Sequence, residues 1–190
     1  ETMEQPHAVQ TLFGSSSFSE DELRRIQRFL SRKLPSTAIS ERSAPGGGRV
    51  AYIEGHRVIQ HANEVLGFDG WGSSIMKLTV DYVDESNGRW SVCVSAIVRI
   101  MLKDGTFHED VGCGLSDNMR HKGQALEKAQ KEAVTDATKR ALRYFGNYLG
   151  NSVYDREHTR TAKRGGVASA ASAEEFVAAH SPIPPALEGG

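Results

Sequence analysis

The sequence predicts an α+β fold, an antiparallel β-meander packed on a long α-helix, and three observations predict it. Two turn dipeptides, Asn87-Gly88 and Asp104-Gly105, punctuate the middle of the chain. The stretches around them alternate apolar and polar residues, the period of a strand with one buried face. Beyond them Ala125, Ala129, Ala133, Ala137 and Ala141 recur at the spacing of one helix face. A length of 190 residues, 38% apolar and 25% charged, suits one domain with a tail and argues against a wholly disordered or fibrous chain.

In chain order, residues 1–17 are polar and Ser-rich and read as a flexible arm. Ser19 and Glu22 form a capping box, Phe18 can staple onto Leu23, and Leu23, Ile26, Phe29, Leu30 and Leu34 follow at helical spacing until Pro35 ends the helix. The segment 36–49, with Arg42 and Pro45-Gly46-Gly47-Gly48, suits a strand turn or a substrate-contacting loop, and Arg49 to Ile53 reads as a short strand. Val58, Ile59, Ala62, Val65 and Leu66 predict a second helix capped by Gly67. Three strands follow. Met76, Leu78, Val80 and Tyr82 are expected on one face of the first, Val92, Val94, Ala96, Val98 and Ile100 on one face of the second, and Phe107, Glu109, Val111 and Cys113 alternate in the third. The helix over Gly123 to Phe145 places its alanines with Leu126, Val134, Tyr144 and Phe145 in one sector. Residues 18–160 are thus expected to form the folded domain, and 161–190, mostly Ala, Ser, Gly and Pro from Gly165 onward, a disordered tail.

Several function classes lack support. The apolar run Val92 to Val98 is far shorter than the roughly 18 residues of a membrane helix, and Glu1-Thr2-Met3-Glu4 does not open a secretory signal. Two cysteines, Cys93 and Cys113, make no disulfide framework and suit the nucleus or cytosol. Metal-hydrolase and acyl-transfer motifs are absent, and the glycine run lacks the Lys and helix of a phosphate-binding loop, so no catalytic residue, metal ligand or cofactor is expected. One enzymatic alternative stays open: His108, Glu109 and Asp110 could hold a divalent cation in a metal-dependent nuclease, although neighbouring strand residues point to opposite faces.

The net charge of −1 conceals an asymmetry. Eleven basic and five acidic residues between Arg120 and Arg164 give that segment +6. On the long helix Lys128, Lys131, Lys139 and Arg143 fall within about 60° of one direction, with Arg140 at the margin and Glu132 and Asp136 beside them. A one-sided cationic helix with an aromatic such as Tyr52 nearby suits sequence-independent binding of a single strand, cations gripping phosphates while the ring packs on sugar or base.

Specific motifs extend this. Tyr52-Ile53-Glu54-Gly55-His56-Arg57-Val58-Ile59, Phe68-Asp69-Gly70-Trp71, Leu102-Lys103-Asp104-Gly105 and His108-Glu109-Asp110-Val111-Gly112 occur in that order. They are followed by Glu127-Lys128-Ala129, Lys131 to Asp136, Lys139 to Arg143 and Phe145-Gly146-Asn147. Together, from about Phe18 to Arg160, they closely resemble the N-terminal domain of the RAD-fifty-two recombination family. The resemblance implies a double-stranded-RNA-binding-domain-like core that assembles into a closed ring of about ten or eleven protomers. It implies a nuclear protein that binds single-stranded DNA, with duplex DNA at a second site. That protein anneals complementary strands without nucleotide hydrolysis during homologous recombination and double-strand break repair. The resemblance places Arg42, Lys139, Arg140 and Arg143, with Tyr52 close by, in an inner DNA-binding set, to which the cationic helix face adds Lys128 and Lys131, and it implies an outer set of Arg89, Arg120, Arg156 and Arg160. Replication protein A and the strand-exchange recombinase would be met through segments outside this chain. The alternatives are the nuclease and a structural paralogue that assists through partner contacts. Cys113, Thr138 and Tyr148 depart from the family's usual residues.

Overall fold

The structure, a computed structural model, describes residues 13–44 and 47–164. Most of the expected tail and arm, and Pro45-Gly46 of the glycine run, lie outside the described residues.

Helix α1 (Glu20–Ser31) starts at the expected capping box, with Ser19 Oγ accepting the Glu22 N–H at 3.2 Å and Glu22 Oε2 accepting the Ser19 N–H at 2.7 Å. The other Glu22 oxygen takes Lys103 Nζ at 2.8 Å, so the cap also ties the helix to a turn of the sheet. The Lys103 hydrogen bond first, and those from Ser19 next, hold the Glu22 carboxyl down at about 2. Phe18 is buried beneath Lys103, whose Nζ sits 4.5 Å from the ring centroid, whereas Leu23, its expected staple, remains exposed. Gly14 and Ser16 donate backbone hydrogen bonds to the Lys103 carbonyl, at 3.1 and 2.9 Å, laying this part of the expected arm against the same turn.

Strands β1 (Ser40–Ser43) and β2 (Arg49–Tyr52) form a small antiparallel hairpin around the glycine run. Helix α2 (Gly55–Leu66) ends as expected at Gly67, whose φ of 88° favours glycine. The meander then runs through β3 (Trp71–Ser86), β4 (Arg89–Leu102) and β5 (Phe107–Met119), paired in that order. Asn87 and Gly88 both take positive φ, 52° and 69°, as a two-residue hairpin with the right twist requires.

Helix α3 (Lys122–Arg143) lies on β4 and β5 and buries its five seam alanines completely. Strand β4 supplies Val92, Val94, Ala96, Val98 and Ile100. The face that β5 turns to the helix is not the expected apolar stripe but Gly112, Gly114 and Ser116. A Cβ on Gly112 would overlap the Ala133 carbonyl and the Ala137 amide, and one on Gly114 the Ala129 carbonyl. Helix and strand therefore meet backbone to backbone, and that approach selects the small-residue face. Phe107 and Val111 consequently point away from the helix and stay about half exposed, and Cys113 is exposed beside them.

A second correction concerns β3. Bulges between Ile75 and Lys77 and between Val80 and Tyr82 break the alternation, so Val80 pairs with Val94 while Tyr82 pairs with Cys93 on the opposite face. Met76, Leu78, Val80 and Tyr82 therefore do not share one face. Because α3 covers β4 and β5 and barely reaches β3, Ile75, Leu78 and Val80 remain open apolar surface. The free thiols of Cys93 and Cys113 lie 3.5 Å apart on the other face, and burial first, then Cys113, push the Cys93 thiol up to about 11. Tyr144, expected in the packed sector, is instead 55% exposed, because the helix ends at Arg143 and the chain turns away.

After α3 come two short 3₁₀ turns, Asn147–Leu149 and Asn151–Tyr154, and helix α4 (Arg156–Arg164), which continues across residue 160. Ser152 is buried; its Oγ donates to the Asn147 carbonyl and accepts the Leu34 N–H, both at 3.0 Å. Asp155 caps α4 through the Glu157 and His158 amides and takes Lys33 Nζ at 2.7 Å. The His158 amide first, then Lys33, holds its carboxyl at about 2. Among the described residues no helix is long and apolar enough to cross a membrane.

Candidate nucleic-acid interface

The last turns of α3, the β1–β2 hairpin and the second 3₁₀ turn enclose a cleft of about 140 Å³. Three forces place its cations. The alanine seam pins α3 to the sheet, so residues on its other side must face outward, and Lys139, Arg140 and Arg143 fall on the cleft wall. Antiparallel pairing of β1 with β2 sets Arg42 opposite Val50 and Ser40 opposite Tyr52, which makes Arg42 and Tyr52 diagonal neighbours on one face of the hairpin. The C-terminal end of α3 carries partial negative charge, which favours the cations gathered there.

Tyr52 is the hub. The Arg42 guanidinium carbon lies 5.9 Å and Lys139 Nζ 5.8 Å from its ring centroid, within the range of cation–π attraction. Asp110, its side chain only 12% exposed, reaches in from β5 with Oδ2 3.3 Å from Arg143 Nη2 and Oδ1 3.4 Å from Arg140 Nε. That Arg140 Nε is buried and makes no hydrogen bond. Partial burial works against the Arg143 charge, but hydrogen bonding with Tyr144, the neighbouring Tyr154 and Asp110 prevail and hold the guanidinium more firmly protonated than usual. Four cations against Asp110 and Asp136 leave two positive charges unneutralised at the cleft.

Not every expected inner residue converges here. Lys131 lines an adjoining depression with Arg42, Glu132, Thr135, Asp136 and Lys139, and its Nζ is 2.6 Å from Glu127, which it holds below the usual carboxylate range. Lys128 is exposed on α3 and lines neither depression. The expected outer residues fall into two groups. Arg89 and Arg120 flank the Trp90–Met119 pair at one end of the sheet, where Lys122 also sits with Nζ 5.1 Å from the Trp90 ring. Arg156 and Arg160 are exposed one turn apart on α4, beyond the other end of α3. In the chain, helix α3, 22 residues or roughly 33 Å long, lies between the two groups.

The residues considered for a nuclease are drawn apart. His108 packs against Phe145, ring centroids 4.7 Å apart, Glu109 takes Arg99 Nε at 2.6 Å on the opposite face, and Asp110 serves the two arginines of the cleft. Among the described residues no three His, Cys, Asp or Glu side chains are gathered to hold a metal ion. The cleft also contains residues that the sequence did not single out for it. Tyr154 enters through the 3₁₀ turn with the Arg143 guanidinium carbon 4.8 Å from its ring centroid, and Asp110 enters from the strand. Period-2 alternation places Asp110 on the helix side of β5, but nothing in the sequence indicates which turn of α3 lies above it.

Comparison with known proteins adds an independent line. Residues 22–169 match the family model described as Rad52/22 family double-strand break repair protein. The chain is 50% identical over 148 residues to the DNA repair and recombination protein rad22 of Schizosaccharomyces pombe, covering 77% of this chain and 32% of that protein. It is 49% identical over 144 residues to RAD52 of Kluyveromyces lactis, covering 76% of this chain and 32% of the relative. With mus-11 of Neurospora crassa it shares 43% identity over 168 residues, 87% of this chain and 28% of that protein. The chain thus spans about a third of the length of these curated relatives.

Proposed function

The chain belongs to the Rad52/22 family of double-strand break repair proteins, and from that premise we propose that it binds single-stranded DNA in the Tyr52 cleft and anneals complementary strands. The observation that carries the proposal is the convergence of Arg42 from β1 with Lys139, Arg140 and Arg143 from α3 on the cleft that Tyr52 lines, with a buried Arg140 nitrogen that is ion-paired with Asp110 but makes no hydrogen bond. Annealing requires the backbone to be gripped while base edges stay free to test a partner, and phosphate contacts from cations do that. Holding an ordered strand supplies proximity, so no catalytic acid, base, metal or cofactor enters the scheme. Asp110 preorganises the site by hydrogen-bonding Arg143 and ion-pairing with Arg140 before DNA arrives.

The same account assigns duplex or second-strand capture to Arg89, Arg120, Arg156 and Arg160. Their division between one end of the sheet and α4 suits a surface completed by successive copies of the chain. The uncovered apolar surface at Ile75, Leu78 and Val80 supports such assembly, because one protomer leaves it open to water. The proposal therefore includes a closed ring of about ten or eleven protomers, a double-stranded-RNA-binding-domain-like core and action in the nucleus. Contacts with replication protein A and the recombinase are assigned to the remaining length of the longer relatives.

A salt series tests the binding step. Each phosphate neutralised on a single strand contributes about −0.7 to the slope of log K against log salt, so four engaged cations give a slope of about −3 per copy. Fluorescence anisotropy of a labelled oligonucleotide reads that slope directly. Binding that is indifferent to salt would remove the phosphate grip from the account.

A further inference from the structure

We infer that Tyr154 is a second aromatic wall of the cleft, a base-stacking residue that acts opposite the phosphate-gripping cations and makes binding depend on the presence of nucleobases. This rests on the proposed function of the same cleft and specifies how the nucleotide lies in it.

Three observations carry the inference. Tyr154 is 64% exposed although it sits on a firmly held segment, an unusual state for a large aromatic with no solvent-facing task. Its backbone is fixed from both sides. Gly150, at φ 113°, turns the chain beside Ile53 and Arg143; the buried Ser152 is clamped between Leu34 and Asn147; and Asp155 is tied to Lys33. The ring is therefore presented by a rigid scaffold rather than by a wandering loop, as a preorganised contact requires.

The ring also borders the same depression as Tyr52, and each tyrosine is associated with its own cation. Arg143 approaches Tyr154 at 4.8 Å, while Arg42 and Lys139 approach Tyr52 at 5.9 and 5.8 Å. Two such rings in one cationic cleft provide both halves of single-strand recognition, π-faces for bases and charges for the backbone. Arg143 bridges these halves, since it faces Asp110 as well as the Tyr154 ring.

The alternative role for Tyr154 is only to steady Arg143, and the two roles separate by ligand. A stacking residue is felt only when the ligand has bases, whereas a residue that merely steadies a phosphate-binding arginine is felt equally without them. The full chain and its Tyr154→Ala and Tyr154→Phe variants are titrated by anisotropy. The probes are a labelled oligothymidylate and an abasic phosphodiester oligomer of equal length. Stacking predicts that Tyr154→Ala weakens oligothymidylate binding about tenfold and abasic binding less than about twofold, with Tyr154→Phe close to the parent on both. Equal loss on both probes, or no loss on either, overturns the stacking role. The ratio of the two affinities within each variant is independent of the active fraction, so partial misfolding cannot imitate the result. Arg42→Glu separates failure of the underlying proposal. If that change leaves both affinities at parent values, the cleft is not the DNA site and both inferences fall; if it weakens both while Tyr154→Ala does nothing, only stacking falls.

Discussion

Replacing Gly114 by valine is expected to destabilise the fold by at least about 3 kcal/mol, the largest stability effect of any single change considered. A Cβ at this position meets the Ala129 carbonyl and the Ala133 amide of α3, main-chain atoms that cannot step aside as a side-chain end can. The helix would have to lift off β5, opening the alanine seam that is completely buried along its length. Since a domain of this size is stable by only about 5–15 kcal/mol, such a loss takes a large share. Thermal melting followed by circular dichroism checks it. A variant melting within a few degrees of the parent would show that helix and strand are not in backbone contact. Because the cleft is built from the last turns of α3 together with Asp110 two strand positions before Gly112, a lifted helix should also scatter the site.

The largest functional effect is expected from charge reversal at the cleft. Arg42→Glu and Lys139→Glu each remove one cation from the pair flanking Tyr52 and place an anion where a phosphate would lie. Each is expected to weaken single-strand binding at least about tenfold near 0.1 M salt and to make the salt slope shallower by about one. Neither residue pairs with Asp110, so the fold should stand. Lys128→Glu supplies the contrast, since Lys128 lines neither depression and should show a much smaller loss. Equal effects at all three positions would mean that only the diffuse charge of the helix matters, and the cleft would lose its special role.

Much of this arrangement is legible in the sequence because it depends on local rules. The capping box at Ser19 and Glu22, the Asn87-Gly88 hairpin, the Gly67 cap and the alanine seam are each specified by a few neighbouring residues, and each appears where expected. What the sequence conceals is non-local. The alternation of β5 points to Phe107 and Val111 as the inner face, yet the helix selects Gly112 and Gly114, because distance of approach, not hydrophobicity, decides that contact. Bulges in β3 change which side chains share a face, and no residue marks them in advance. Within the site, helical spacing makes Lys139 and Arg143 legible, with Arg140 at the margin, but it groups them with Lys128 and Lys131, which do not line the cleft. Tyr154 and Asp110 are not legible, since each comes from a separate element and meets Arg143 only after folding. The outer set implied by the resemblance also divides into two groups, Arg89 with Arg120 beside the Trp90–Met119 pair and Arg156 with Arg160 on α4.

The central claim, that this chain holds single strands and joins them, is tested most directly by one assay. Two complementary labelled oligonucleotides are mixed with the purified chain, without nucleotide, and annealing is followed by fluorescence transfer across a salt series while the solution mass of the protein is recorded. The account predicts that a large oligomer accelerates annealing, that the acceleration fades as salt rises, and that Lys139→Glu abolishes it while leaving the oligomer intact. A folded, fully assembled chain that binds neither strand, or binds them without bringing them together, would contradict it.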